Sequence, residues 1–496
     1  MMNRIKYIFL LVILVLAGAC DEGFEEINTN PNQPVEVAPS AILPGIIRSA
    51  VNASVDQSYL VGNNIVQLTA KTLRVEVDIY NWNAFANITW FPMYESLRNV
   101  DALEEVADET NNQNYQGIAL VMKSWIFSVL TDAYGDIPYS QAIAADQDIN
   151  FPIYDAQEDI YLSEDGLLAN LERAYDLLDP NGEPIAGDIL YDGDISNWIK
   201  LTNSLRLRLL MRISEKEPQR AINGIQEIVN EGDYMMNYQD NATLEYLNAF
   251  PNQFPLLPLK TGDFDAVNVA ERVVNVFEEL NDPRLTVYAR PRNAPIEANE
   301  SPVYRGLANG SGESTESSRL GYQYFDYPGH QTAAEKADGI IMTNAETQFI
   351  LAEAAEKGWI NGDAEEYYRA GILSSMSYYE VDLPYTTPEG DATIESFEEY
   401  YQQPEVDYVQ AENKLQRIGE QKWISLYFTG LEAWFDWRRT GFPMLEPTPN
   451  NENNDQIPVR FIYPGQEQNL NGENYRAAIA SQGTDNVNTR MWLLED

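Results

Sequence analysis

A mostly α-helical scaffold of paired helices, carrying one long loop-rich insertion, is the fold class this sequence predicts. Three observations carry that expectation. Apolar residues recur at three- and four-residue steps over much of the chain. Two such stretches, ending and restarting around Gly358 and Ala364, are joined by a short turn. Between about residues 231 and 343 the periodicity gives way to Pro, Gly, Asn and Tyr. At 496 residues with 44% hydrophobic content, the chain has material for a large core.

Residues 1–19 read as a secretory signal: Arg4 and Lys6 precede the apolar run Ile8 to Leu16, and the small residues Ala17, Gly18 and Ala19 follow. That run falls well short of the roughly 20 residues needed to cross a bilayer. The one cysteine, Cys20, stands at the cut, so no disulfide can form and its sulfur is an acylation point. Residues 20–38 form a polar tether. Its string Asn28-Thr29-Asn30-Pro31-Asn32-Gln33-Pro34 opposes helix and strand, which puts the start of the folded body near Pro39 and leaves 39–496 as a single domain.

Within that body Tyr94, Leu97 and Val100 give a helix over Tyr94–Val106, and Ile118–Leu130 is apolar nearly all round, as a helix enclosed by neighbours should be. It stops at Gly135 and Pro138. Further helices are expected at Ile160–Leu178, Trp198–Ser214, Ala221–Asn230, Ala270–Leu280, Ala345–Lys357, Ala364–Tyr379 and Lys414–Arg439, the last with a break at Gly430. Ala352, Ala355, Ala364 and Ala370 would let two of these helices approach as closely as in a tetratricopeptide unit, although no clean 34-residue repeat recurs. Pro443 to Pro458 is a polar interruption, and Val459–Tyr463 reads as a short isolated strand.

The balance of 77 acidic against 32 basic residues, a formal charge of −45, removes nucleic acid from the expected partners, because phosphate binding rests on Lys and Arg. His330 is the only histidine, so no histidine metal site can be built, and no nucleophile elbow accompanies it for a Ser-His-Asp arrangement. A carboxylate pair for glycoside hydrolysis survives this filter, but no two acids are singled out. Asp188, Asp192 and Asp194 surround Gly193 without calcium-loop spacing and read as a plain acidic turn. No cofactor is expected; calcium held by oxygens from separated loops is the exception left open. Arg206, Arg208 and Arg212 on an apolar helix need buried carboxylates such as Glu432 or Asp436. Trp423, Trp434 and Trp437 read as core, Trp90 as a staple at a helix start, and Gly441 as a helix C-cap.

Several strings add to one another: Thr131-Asp132-Ala133-Tyr134-Gly135-Asp136-Ile137-Pro138-Tyr139, Trp198 to Ser214, Met342-Thr343-Asn344-Ala345-Glu346, Gln421-Lys422-Trp423-Ile424, Gly430 to Gly441, and Ile462-Tyr463-Pro464. They stand behind Leu16-Ala17-Gly18-Ala19-Cys20, which resembles the lipobox of bacterial lipoproteins with alanine in place of leucine three positions before the cysteine. In this order they resemble the SusD/RagB family of Bacteroidetes outer-membrane nutrient-binding lipoproteins, in its SusD-like branch, over the whole mature chain. The resemblance implies acyl chains on Cys20 that hold the protein at the outer membrane, on the cell surface. It implies a scaffold of tetratricopeptide-like helix pairs seated over a SusC-like TonB-dependent transporter, catching glycan, or in some members peptide, and catalysing nothing. The acidic start Asp21-Glu22 likewise resembles the surface-export signal of such lipoproteins.

Sugars and peptides both need exposed aromatic faces and a few orienting polar groups on loops. Two segments supply them, Lys71–Asn83 and Leu320–Tyr327. Trp82, Tyr80, Tyr324 and Tyr327 are the expected stacking faces, with Asn83, Arg74 and Asp78 as hydrogen-bonding groups. A peptide-binding lipoprotein of the same transport system, a secreted glycoside hydrolase and a purely structural helical scaffold are the rival readings.

Overall fold

The structure is a computed structural model that describes residues 37–82, 87–247, 249–256, 266–293, 300–312, 316–321 and 337–495. The signal, Cys20, most of the tether, Asn83, Tyr324, Tyr327 and His330 lie outside the described residues. The first helix, α1 (Pro39–Gln57), opens with proline in its first turn, where no intrahelical partner for an N–H is needed. It was not among the helices the periodicity singled out. Strand β1 (Thr69–Lys71) follows, then α2 (Asn87–Glu109) and α3 (Gln113–Tyr134). The Asn112 side chain caps α3 by accepting from the Asn114 and Tyr115 amides at 3.1 and 3.3 Å. Where one helix was expected over Ile160–Leu178 there are two, α4 (Gln157–Leu162) and α5 (Leu167–Leu177), because the chain turns at Ser163–Gly166 with the Gly166 amide donating to the Ser163 carbonyl. Helices α6 (Ile195–Arg212) and α7 (Pro218–Glu231) complete the first half.

The described residues of the insertion are less irregular than its composition suggests. Strand β2 (Ala242–Leu244) pairs antiparallel with β4 (Gly339–Met342), and β3 (Val267–Val269) pairs antiparallel with β1, setting Lys71 opposite Val267; α8 (Glu271–Glu279) follows β3 directly. Beyond β4 come α9 (Asn344–Glu356), α10 (Ala364–Tyr378), α11 (Lys414–Ser425), α12 (Glu432–Thr440), α13 (Gly465–Leu470) and α14 (Gly472–Gln482). The pair α9 and α10 closes through Gly371: a Cβ there would sit 2.8 Å from the Phe349 ring. The expected break at Gly430 separates α11 from α12, and Gly441, at φ +73°, ends α12 with its amide on the Trp437 carbonyl at 2.7 Å. Helices pack in sequence: α1 on α2, α2 on α3, α3 on α5, α5 on α6, α6 on α7, α9 on α10 and α11. One contiguous apolar core runs from Leu43 to Leu493.

Val459–Tyr463 does not form a strand. Its backbone is extended but is held only piecemeal, the Phe461 amide on the Ala133 carbonyl and the Val459 amide on that of Val487, both at 2.8 Å, so no ladder exists to pair with. Its side chains matter more. Tyr463 and Phe461 bury into an aromatic cluster with Trp90, Tyr134 and Trp434.

The arginines of α6 divide. Arg208 makes two hydrogen bonds to Glu346 at 2.6 Å, and Arg212 bonds to Glu432 and lies 3.4 Å from Asp132. Arg206 turns the other way, 3.7 Å from Glu172 and Glu227. Glu432 thus plays the part expected of it, while Asp436 pairs with Lys422 at 2.8 Å and Arg439 at 3.0 Å instead. Arg439 also clamps Glu353 with two bonds of 2.6 Å and holds its carboxyl at about 2 despite burial. Trp423 and Trp434 are core as expected; Trp437 is half-buried.

Candidate loop-built binding cleft

Asp78 organises the region that the sequence marked. Its carboxylate is fully buried and accepts from the Lys71 amide at 2.8 Å, the Gly310 amide at 3.2 Å and Asn64 Nδ2 at 3.3 Å. Burial pushes its carboxyl up to about 6 against the pull of those donors, and burial likewise brings the neighbouring Lys71 ammonium down to about 8. A third segment ties on from the C-terminal half: Thr448 Oγ1 donates to the Asp78 carbonyl, the Thr448 amide to the Tyr80 hydroxyl at 3.3 Å, and the Glu452 amide to the Ile79 carbonyl at 2.7 Å. Asn309 Nδ2 reaches the Thr69 carbonyl at 2.8 Å, and Gln67 Nε2 the Glu446 carbonyl at 2.7 Å. Three stretches distant in sequence, 67–82, 305–312 and 446–452, are thereby locked together.

Beside this knot lies a cleft of about 410 Å³ lined by Gln67, Arg272, Asn275, Asn309, Glu446 and Thr448, together with prolines 447 and 449. Helix α8 supplies Arg272 and Asn275, and the rigid loops supply the rest. Amides, a guanidinium and carboxylates face one space, and none of the described residues lining it is aromatic. The chemistry offered is hydrogen bonding to a polar ligand.

The expected site residues separate on inspection. Trp82 is 2% exposed, donates from Nε1 to the Val77 carbonyl at 3.2 Å, and has its ring against Trp434 and Phe461 at 5.6 and 5.3 Å. It is core, so it offers no stacking face. Tyr80 is buried too, its hydroxyl taken by Thr448, and Asp78 has its oxygens filled by backbone and amide donors. The two aromatic corrections share a cause, because a short segment gains more by folding its large rings onto the core than by holding them in water; Asp78 is buried with them because its carboxylate collects the Lys71, Gly310 and Asn64 donors. Arg74 does remain exposed, at φ +55°. Of the segment Leu320–Tyr327, Leu320 is buried in a bridge to Ala289, and residues 322–327 lie outside the described residues.

Replacing Asp78 by alanine strands three buried donors, each costing about 1–3 kcal/mol when unmet, partly offset by removal of a desolvated charge. The expected net loss is about 2–3 kcal/mol in urea unfolding, with weaker ligand binding because the three stretches part.

Sequence reasoning did not pick out Gln67, Arg272, Asn275, Asn309, Glu446 or Thr448. One signal was present: Arg272 stands in the first turn of a helix, where the positive end of the dipole favours acids and disfavours a cation. The acidic turn at Asp188 serves structure, its carboxylate accepting from the Leu190 and Gly193 amides and from Trp198 Nε1 at 2.9, 3.0 and 2.8 Å. Among the described residues no three carboxylates, histidines or cysteines converge as a metal site, and no helix is long and apolar enough to cross a membrane.

Helix pairs that carry a polar cleft on interlocked loops define a helical binding scaffold. A family model described as "Starch-binding associating with outer membrane" matches residues 31–464. The chain belongs to the SusD-like family, whose members are binding proteins associated with the outer membrane. Among solved structures it is similar to a SusD homologue of Bacteroides fragilis at 27% identity and a TM-score of 0.78, covering 93% of this chain and 100% of that one. A second Bacteroides fragilis SusD homologue matches at 26% identity and TM-score 0.78, covering 92% and 100%. A chitin-binding protein matches at 26% and 0.77, also covering 92% and 100%. No curated protein matches.

Proposed function

We propose that this protein captures glycan chains at the cleft beside Asp78 and delivers them, uncut, to a SusC-like TonB-dependent transporter. Residues 1–19 direct export, acyl chains on Cys20 hold the mature chain at the cell surface, residues 20–38 act as tether, and 39–496 form the capturing body. The observation that carries this reading is the cleft's composition: amides from Gln67, Asn275 and Asn309, the Arg272 guanidinium and the Glu446 carboxylate converge on rigid backbone. Such planar polar groups match the alternating donor and acceptor roles of sugar hydroxyls. Family membership and the likeness to a chitin-binding structure support the ligand class. Arg74, Asn83, Tyr324 and Tyr327 are proposed as added contacts around it.

Affinity electrophoresis of residues 20–496 through gels containing starch, chitin derivatives or other polysaccharides tests this. Retardation by at least one polysaccharide is expected. Free migration in all of them, with retention on a peptide column, would move the reading to peptide capture.

A further inference from the structure

Arg272 is placed where an arginine is poorly served. It occupies the first turn of α8, against the helix dipole. Its Nε is sealed from solvent and meets no hydrogen-bond partner. Arg208 lies 2.6 Å from Glu346, Arg284 2.6 Å from Asp282 and Arg439 2.6 Å from Glu353, whereas no carboxylate among the described residues stands within ion-pair distance of the half-exposed Arg272. Burial draws its guanidinium below the usual range, with only the more distant Glu420, Glu446 and Glu279 pulling back. The outer N–H groups of this half-exposed guanidinium face the cleft and are open to an acceptor that enters it.

Resting on the glycan reading above, we infer that Arg272 is the specificity-determining donor of the cleft, and that the cleft takes a neutral, hydroxyl-rich sugar ring and rejects uronate or sulfated rings. The acceptor Arg272 needs could be either a hydroxyl or an anion, and the remaining lining decides between them. Glu271, Glu279 and Glu446 line the same cleft, so with Arg272 the balance there is negative. A ring hydroxyl accepts from Arg272 and donates its own proton to Glu446 or to an amide oxygen of Gln67 or Asn275. A carboxylate or sulfate only accepts. It would satisfy the arginine while bringing a like charge next to three glutamates.

Calorimetric titration of residues 20–496 with maltohexaose, chitohexaose and hexagalacturonate tests this. At least one neutral hexamer is expected to bind, with hexagalacturonate on the order of tenfold weaker or more. Arg272→Met should weaken the neutral ligand by about tenfold to a hundredfold without lowering the melting temperature, since an unpaired cation is being removed. The double variant Glu279→Gln with Glu446→Gln should narrow the gap between neutral and anionic ligands. If Arg272→Met binds the neutral ligand as well as the native chain, or if hexagalacturonate is preferred, the inference is overturned while glycan capture stands. If the native chain binds none of the three hexamers and no other polysaccharide retards it, the glycan reading itself fails.

Discussion

Replacing Glu432 by alanine is expected to cost about 3–5 kcal/mol of folding stability, read as a shift of the urea midpoint with an unchanged slope. The size follows from what would be left behind. Glu432 bonds to Arg212 and stands 3.7 Å from Arg208, and all three side chains are removed from water. Glu346 still serves Arg208, but Arg212 already carries Nε and Nη1 atoms without a hydrogen-bond partner, so losing its closest carboxylate leaves a buried charge with only Asp132, at 3.4 Å, beside it. A Glu432→Gln variant keeps shape and one acceptor and should recover part of the loss. A loss under 1 kcal/mol for the alanine variant would mean that Asp132 alone suffices.

Trp434→Ala is expected to be of similar size, about 3–5 kcal/mol, and to reach the cleft as well. Trp434 is fully buried on α12, donates from Nε1 to the Pro458 carbonyl at 3.0 Å, and packs against Phe461 at 5.1 Å and Trp82 at 5.6 Å. Arg438 lies over its ring at 4.3 Å. Through Trp82 this helix anchors the end of the segment that Asp78 ties down. Removing the indole leaves a cavity under that segment, so glycan affinity should fall together with stability. Stability loss with unaltered affinity would show that the Asp78 hydrogen bonds alone fix the cleft wall.

What could be read in advance was whatever follows from local pattern. The periodicity of α3, α6, α9 and α10 and the C-cap at Gly441 reflect local rules, and the structure contains them with bounds shifted by a few residues. The need for buried partners on α6 was legible because three arginines among leucines cannot stay unpaired. Which acid serves which arginine was not, since Glu346 and Asp132 come from helices α9 and α3, and only their packing brings them to α6. The cleft was legible only as a neighbourhood. Asp78 reads in the sequence as a ligand group and instead holds loops together; Gln67, Asn309 and Thr448 gain their places through backbone contacts that link residues several hundred positions apart. Trp82 shows the limit from the other side: a tryptophan in a polar segment can read as exposed, yet the pocket that covers it is made by Trp434 and Phe461.

The most direct measurement follows one sample over time. Residues 20–496 are incubated with the polysaccharide that retards them, and bound fraction and chain length are recorded together. Saturable binding with chain length constant over hours is the expected result; a rise in reducing ends that tracks protein concentration would contradict capture without cleavage.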